Sequence, residues 1–273
     1  MNWRTIGLSL ICLCVPFAAT HVSAETLSVG GTGSAEPIVK LLFEEFRKEF
    51  PAATLNHLSP PVGTGGALKG LASGRLDLAV IGRFAQPEEA KRIGRQVDIA
   101  ETAFVMASRD ETRESSFTPD ELAQVYQGQL KTWKSGVPIR LILRASFESD
   151  TLTLKSMSPA MNQAVSAAAL RPGMVTADND LEALKLLAET PGSLGPSTLG
   201  LIKASHTKVH ILPINGITPS AANVRNGSYP WRKPLIVALP QQPSPLAERF
   251  VDFLLSAKAR SVLQRYDYWP NLP

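Results

Sequence analysis

Short apolar runs of strand length alternate with segments of helical apolar period through the first third of the chain, and runs of glycine and hydroxyl residues stand at the joints. Thr26 to Val29 reads as a short strand, and Pro37 opens a helix whose Ile38, Leu42, Phe46 and Phe50 recur every four residues until Pro51. The run Gly63, Thr64, Gly65, Gly66 leads to Leu68, Leu71 and Ala72, closed by Gly74, and Leu76 to Ile81 reads as a buried strand ending at Gly82 and Arg83. The expected order is strand, helix, helix, strand. Such alternation calls for an α/β fold.

A second α/β unit follows. Val97 to Ser108 is strand-like, and Thr118, Pro119, Asp120, Glu121 form a capping box with Pro at the first helical position. The strand Ile139 to Leu143 ends at Arg144 and is followed by the hydroxyl-bearing run Ser149, Asp150, Thr151. Later come a helix from Asp180 to Ala188, a strand from Val209 to Leu212, a loop over Asn226 to Pro230 and a strand from Leu235 to Leu239. Two apolar helices finish the chain, one carrying Leu246, Phe250, Val251 and Leu254, the other Val262 and Leu263.

The first two dozen residues differ in kind. Arg4, an apolar stretch from Ile6 to Ala19 and the small-x-small pattern Val22, Ser23, Ala24 read as a secretory leader over residues 1–24, too short in its apolar run to span a bilayer. Cleavage there removes Cys12 and Cys14, so the mature chain has no disulfide, thiolate nucleophile or sulfur metal ligand. It also removes one base, Arg4, and no acid, lowering the formal net charge from +4 to +3. That balance is too mild to indicate nucleic acid or a membrane surface as partner. With 273 residues, 44% of them hydrophobic, the chain suffices for one large domain or two lobes.

Gly31 to Ser34, Gly63 to Gly66 and Ser149 to Thr151 each stand before a helix-like pattern. A helix N-terminus presents unpaired N–H groups and the positive end of the helix dipole, so each run is a candidate anion cradle. On the residues alone, Ser34 at the expected N-cap suits capping as well as donation to a ligand, and the glycines around Thr64 suit a tight turn equally well. Arg83 and Arg144 stand at the carboxyl ends of strands, where open α/β sheets bind ligands; a guanidinium there can grip an oxyanion or form a salt bridge. Candidates for catalysis are poor. His206 and His210 have metal-like spacing only on a helix, and their stretch reads as a strand; His57 stands apart, and no nucleophile-base-acid order stands out. Tyr126, Trp133, Tyr229 and Trp231 read as packing or cleft-rim residues.

The stretches Gly31 to Pro37, Gly63 to Lys69, Asp77 to Arg83, Thr118 to Trp133, Pro138 to Thr151, Gly192 to Gly195, Gly227 to Pro234 and Phe253 to Pro270 together resemble, in order, the phosphate-type periplasmic binding proteins of ABC transporters. The resemblance implies the type 2 fold, with two α/β lobes joined by two crossing hinge strands and a ligand cleft between them. It implies lobe I over 25–103 and 235–273, and lobe II over 104–234, with crossings near Ala103 to Met106 and Pro234 to Val237. It places Ser34 and the Ala35 N–H, Thr64 and Gly65, Arg83, Arg144 and the run Ser149, Asp150, Thr151 against the anion. It further implies a monomeric, periplasmic, non-enzymatic protein without metal or cofactor, which captures phosphate or a related oxyanion for a permease. Three departures stand out: Asp150 where the family has Gly, Glu36 where an uncharged residue is usual, and Gly82 where Ser or Asp commonly meets the ligand. Asp150 or Glu36 can accept the proton of a hydrogen oxyanion, or simply cap a helix. The alternatives are a sensing or binding-dead interaction module and a secreted phosphatase on the same pocket.

Overall fold

The computed structural model describes residues 25–109 and 116–270; the expected leader, with both cysteines, lies outside the described residues. Lobe I opens with β1 (Glu25–Gly31), α1 (Glu36–Phe46), β2 (Ala53–His57), α2 (Gly63–Ala72), β3 (Leu78–Ile81) and α3 (Pro87–Ala90). The long β4 (Gln96–Ser108) leads into lobe II, built from α4 (Pro119–Gln127), β5 (Arg140–Arg144), α5 (Ser149–Ser156), α6 (Pro159–Ala168), β6 (Val175–Ala177), α7 (Asp180–Glu189), β7 (Ser193–Thr198), α8 (Leu199–Ala204), β8 (His210–Leu212) and α9 (Ala221–Arg225). The chain returns through β9 (Arg232–Ala238) and ends with α10 (Pro245–Leu254), α11 (Ala257–Arg265) and β10 (Tyr268–Pro270).

The strands follow the order β2-β1-β3-β9-β4-β7-β5-β6, with β8 and β10 paired to β4. β1 runs parallel to β2 and β3, and β5 parallel to β6 and β7, so each lobe has its own parallel set. The antiparallel β4 and β9 join the two sets. β4 pairs with β9 from Gln96 to Ala103 and then with β7 from Phe104 to Ala107, changing partner within one unbroken strand.

Each lobe has its own core. Ile38, Leu42 and Phe46 of α1 are fully buried, and Phe46 meets Phe43, Phe50, Phe250 and Phe253, so the four-residue period seats α1 against α10. Each such ring buried contributes about 1.5–3 kcal/mol. Leu68 and Leu71 of α2 pack with Ile81 and Ile236 in a separate cluster. Lobe II gathers Phe104, Tyr126, Trp133 and Tyr229; Trp133 donates its indole N–H to Gly192 O at 3.1 Å and Tyr229 its hydroxyl to Phe104 O at 2.8 Å, so these aromatics are packing residues. The expected order of strand, helix, helix, strand needs correction, because β2 lies between α1 and α2. Its five residues pair with β1 alone and alternate between inward and exposed positions, too short an alternation to stand out in the chain.

Candidate functional site

The ends of β1, β3 and β5 and the first turns of α2, α5 and α7 meet at one seam between the lobes. At β1 the chain runs so close to β3 that a Cβ on Gly31 would lie 2.3 Å from Val80 O, and Thr32 N–H donates to that carbonyl at 3.0 Å. Glycine is therefore required there, and the next residues turn toward lobe II. The expected N-cap at Ser34 is not formed: Ala35 is the N-cap and carries no side-chain cap. Instead the Ser34 hydroxyl shares a 3.1 Å hydrogen bond with Thr32 Oγ1, which donates to Asp180 Oδ2 of α7 at 2.8 Å. The Tyr268 hydroxyl holds the loop from behind by donating to Ser34 O at 3.2 Å.

The second and third glycine and hydroxyl runs are not loops before helices but the first turns of α2 and α5. Thr64 Oγ1 accepts from Gly82 N–H at 3.2 Å, joining α2 to the end of β3. Gly63, with φ of +67°, faces lobe II: a Cβ there would lie 2.9 Å from Glu148 Oε1. Gly65 has open space beside it. In α5, Thr151 Oγ1 donates to Arg144 O at 3.1 Å and so ties the turn to β5. Ser149 Oγ stands 3.2 Å from where a Cβ on Gly82 would be, placing it beside the Thr64 and Gly82 pair.

Arg144 is buried. Its Nη1 donates to Ala177 O at 2.6 Å, its Nη2 lies 3.6 Å from Glu148 Oε2 and 3.9 Å from Asp180 Oδ2, and its Nε has no hydrogen-bond partner among the described residues. A second buried cation, Lys233 on β9, contacts Asp150 Oδ1 directly and stands 3.9 Å from Asp180 Oδ1. Asp150 therefore does not cap its helix; it pairs with the hinge-strand lysine.

Three carboxyl groups, Glu148, Asp150 and Asp180, thus share two cations. Burial pushes the Asp150 carboxyl above the usual carboxylate range against the pull of Lys233, and the nearby Asp180 reinforces the rise. Burial also pushes Asp180 up, but Lys233, Arg144 and the Thr32 hydroxyl together outweigh it and hold that carboxyl below its ordinary value. Glu148 is raised by burial, with Arg144 opposing. Burial disfavours the Lys233 ammonium, yet Asp150 and Asp180 more than offset this and raise its pKa. The two aspartates divide the work: one is held ionised and the other is the readier to take a proton.

The structure brings Ser34, Thr64, Arg144, Ser149, Asp150 and Thr151 to this buried seam, whereas the Ala35 N–H expected to meet the anion donates to Thr32 O at 3.1 Å and the Ala35 side chain packs in the lobe I core. Arg83 is turned elsewhere. Its guanidinium forks onto Glu89, with Nη1 2.7 Å from Oε2 and Nη2 2.9 Å from Oε1, and Nη1 also donates to Phe84 O. Glu36 likewise lies outside the ion-pair cluster: Lys40 takes its Oε1 at 2.6 Å, and its Oε2 faces His57 Nδ1 at 3.8 Å, both atoms lacking a hydrogen-bond partner among the described residues. Thr32, Glu148, Asp180 and Lys233 escaped the sequence reading. Asp180 follows the N-cap Asn179 and reads as an ordinary first-turn acid, and Lys233 sits in a basic pair before Pro234 that reads as a solvated strand end. Among the described residues no group of three or more His, Cys, Asp or Glu side chains could hold a metal ion, and no helix is long and apolar enough to cross a membrane.

Residues 18–258 match the model of the PBP superfamily domain. The phosphate-binding protein PstS of Bacillus subtilis is 26% identical over 252 residues, covering 90% of this chain and 80% of the relative. Its namesake from Borreliella burgdorferi is 22% identical over 250 residues, covering 89% and 88%. Among solved structures, a substrate-binding protein assigned to phosphate ABC transport from Clostridium perfringens, with bound phosphate, superposes with a TM-score of 0.78 at 17% identity, covering 91% of this chain and all of that one. An ABC-type phosphate transport receptor from Vibrio cholerae superposes with a TM-score of 0.65 at 18% identity, covering 90% of this chain. With a family model spanning most of its length, the chain belongs to the PBP superfamily.

Proposed function

We propose that this chain is an exported, periplasmic solute-binding protein that captures phosphate or a related tetrahedral oxyanion between its lobes and delivers it to an ABC transporter. The observation that carries the reading is the convergence at one seam of Arg144 with the hydroxyls of Ser34, Thr64 and Ser149, drawn from both lobes. A guanidinium stays charged at every relevant pH, and hydroxyls and first-turn N–H groups supply directional donors to anionic oxygens. The reading is of non-covalent binding by a monomer, with no bond made or broken. A ligand that meets donors from both lobes only when they close favours the closed form by its differential affinity.

A thermal-shift screen of phosphate, sulfate, arsenate, molybdate and phosphonates tests this, with small-angle scattering on any hit. A ligand at a hundred times its Kd stabilises by about 2.7 kcal/mol, and Arg144→Met abolishes the response. The reading fails if none of these anions raises the melting temperature or compacts the protein. One observation favours a second reading, an interaction module that closes without ligand: Arg144 and Lys233 already face carboxylates of the chain itself. That reading expects a compact form indifferent to all the anions.

A further inference from the structure

We propose, resting on the oxyanion reading above, that Lys233 is a ligand-gripping cation of this cleft, and that Asp150 is its resident counter-anion, displaced when an oxyanion enters. Lys233 belongs to neither lobe's loops. It stands on β9 opposite Thr102 of β4, so the two strands that join the lobes fix where its side chain begins. From there the side chain runs to the meeting point of the cradles. Its Cε lies 3.2 Å and its Nζ 3.5 Å from where a Cβ on Gly82 would stand, and Ser149 Oγ lies 3.2 Å from the same point. Any side chain at position 82 would crowd the lysine, and with glycine there the ammonium lies beside the turns that carry Thr64 and Ser149.

Charge then dictates what must happen on binding. Asp150 is faced by Lys233 from β9, Asp180 from α7, Arg144 from β5, Tyr126 from α4 and Glu148 from the N-cap of its own helix. That buried group already holds one carboxyl more than it holds cations, so a further dianion cannot join it unless a carboxyl leaves or takes a proton. Asp180 is anchored by the Thr32 hydroxyl and Arg144, whereas Asp150 is tied to the cluster through Lys233 and through a side-chain hydrogen bond with Asp180, with no hydroxyl of its own to hold it. The incoming oxyanion therefore replaces Asp150 on Lys233, and Asp150 takes up a proton from solvent. Its carboxyl, already raised by burial, rises further once the ammonium is shared with the ligand.

Calorimetric titration with inorganic phosphate and with sulfate, in two buffers of different ionisation enthalpy, tests the exchange. Asp150→Asn removes the competitor and is expected to tighten binding by at least roughly tenfold, about the low end for one close charge pair. It is also expected to reduce the proton uptake seen in the wild type, a difference from which the ligand's own protonation cancels. Lys233→Met weakens binding, and the double variant, which removes both charges of the pair and so avoids an orphaned carboxylate, binds more weakly than Asp150→Asn alone. Equal or weaker binding by Asp150→Asn overturns the proposal, as does a double variant that binds as tightly as Asp150→Asn. Binding by Asp150→Asn where the wild type shows none supports it. Absence of binding by wild type and Asp150→Asn alike overturns the oxyanion reading itself.

Discussion

Lys233→Met should be among the most damaging single changes in the cleft, and the loss should depend on pH in a stated direction. The methionine preserves most of the side chain's volume, so the perturbation is electrostatic. In the wild type the ammonium is buried against Asp150 and stands 3.9 Å from Asp180. At an effective dielectric constant near 20, a pair about 4 Å apart interacts by roughly 4 kcal/mol, and removing one partner of a buried pair costs about 3–5 kcal/mol. Asp180 keeps Arg144 and Thr32, so Asp150 bears most of the loss.

The sign follows from Asp150. Its folded pKa is already raised, and without the ammonium it rises further above the unfolded value of about 3.9. The folded state then binds more protons than the unfolded state above about pH 4, so the variant loses stability as pH rises through that window and recovers it on acidification. At neutral pH the melting temperature should fall by on the order of 10 °C, since each kcal/mol is worth about 2–4 °C in a chain of this size. Near pH 4 the gap to wild type, measured at the same pH, should shrink to a fraction of that. Asp150→Asn added to Lys233→Met should recover at least about 2 kcal/mol, the coupling of a contacting pair. Scanning fluorimetry and urea titration across pH measure all three. A single variant melting within about 2 °C of wild type at neutral pH, with no pH trend, would falsify the buried ion-pair argument.

Other elements make independent predictions. A Cβ on Gly200 would lie 2.2 Å from the Tyr268 ring, so Gly200→Ala should cost about 1–3 kcal/mol by overpacking and loosen the Ser34 loop that Tyr268 holds; urea midpoints and tryptic cleavage read both effects. Burial lowers the His57 pKa although Glu36 opposes it, so the folded state holds this ring neutral. Stability should therefore be level above the unfolded pKa of about 6.5 and decline as pH falls below it, a decline that His57→Asn should flatten in denaturant titrations. Arg83→Ala breaks the fork onto Glu89 and should cost no more than about 1 kcal/mol. A tenfold loss of oxyanion affinity in the same variant would show that the guanidinium leaves Glu89 for the ligand.

Much of the fold was legible because its signals are local. The four-residue period from Ile38 to Phe46, the capping box at Thr118 and the apolar run of β4 each depend on residues a few positions apart. What escaped lacks such a signal. β2 is an edge strand of only five residues, alternately inward and exposed, and β7, although wholly buried, is Ser193 to Thr198, whose glycine, proline and hydroxyls argue against a strand unless its neighbours are known. The Ser34 capping expectation failed for a related reason. Ser34 is one residue too early, and its hydroxyl is drawn instead to Thr32, which answers a carboxylate on the other lobe.

The site divides along the same line. Hydroxyl and glycine runs ahead of an apolar period mark the neighbourhood of helix starts in the sequence, so Ser34, Thr64 and Ser149 could be picked out as candidates one at a time, and Arg144 through its place at a strand end. The charge logic could not, because it lies in relations between distant positions. Asp150 in place of a glycine looks like a lesion in an anion site until Lys233, 83 residues later, is seen against it. Gly82 looks like a lost contact until the lysine's methylene is found lying where its side chain would be. Taken singly, each departure weakens the oxyanion reading; taken together they describe one exchange, in which a cation from the hinge strand fills the space at position 82 and an acid at position 150 keeps that cation paired. An anion entering such a site competes with a carboxylate rather than with water. Its affinity is then set as much by how readily Asp150 gives up Lys233 as by the donors that receive it.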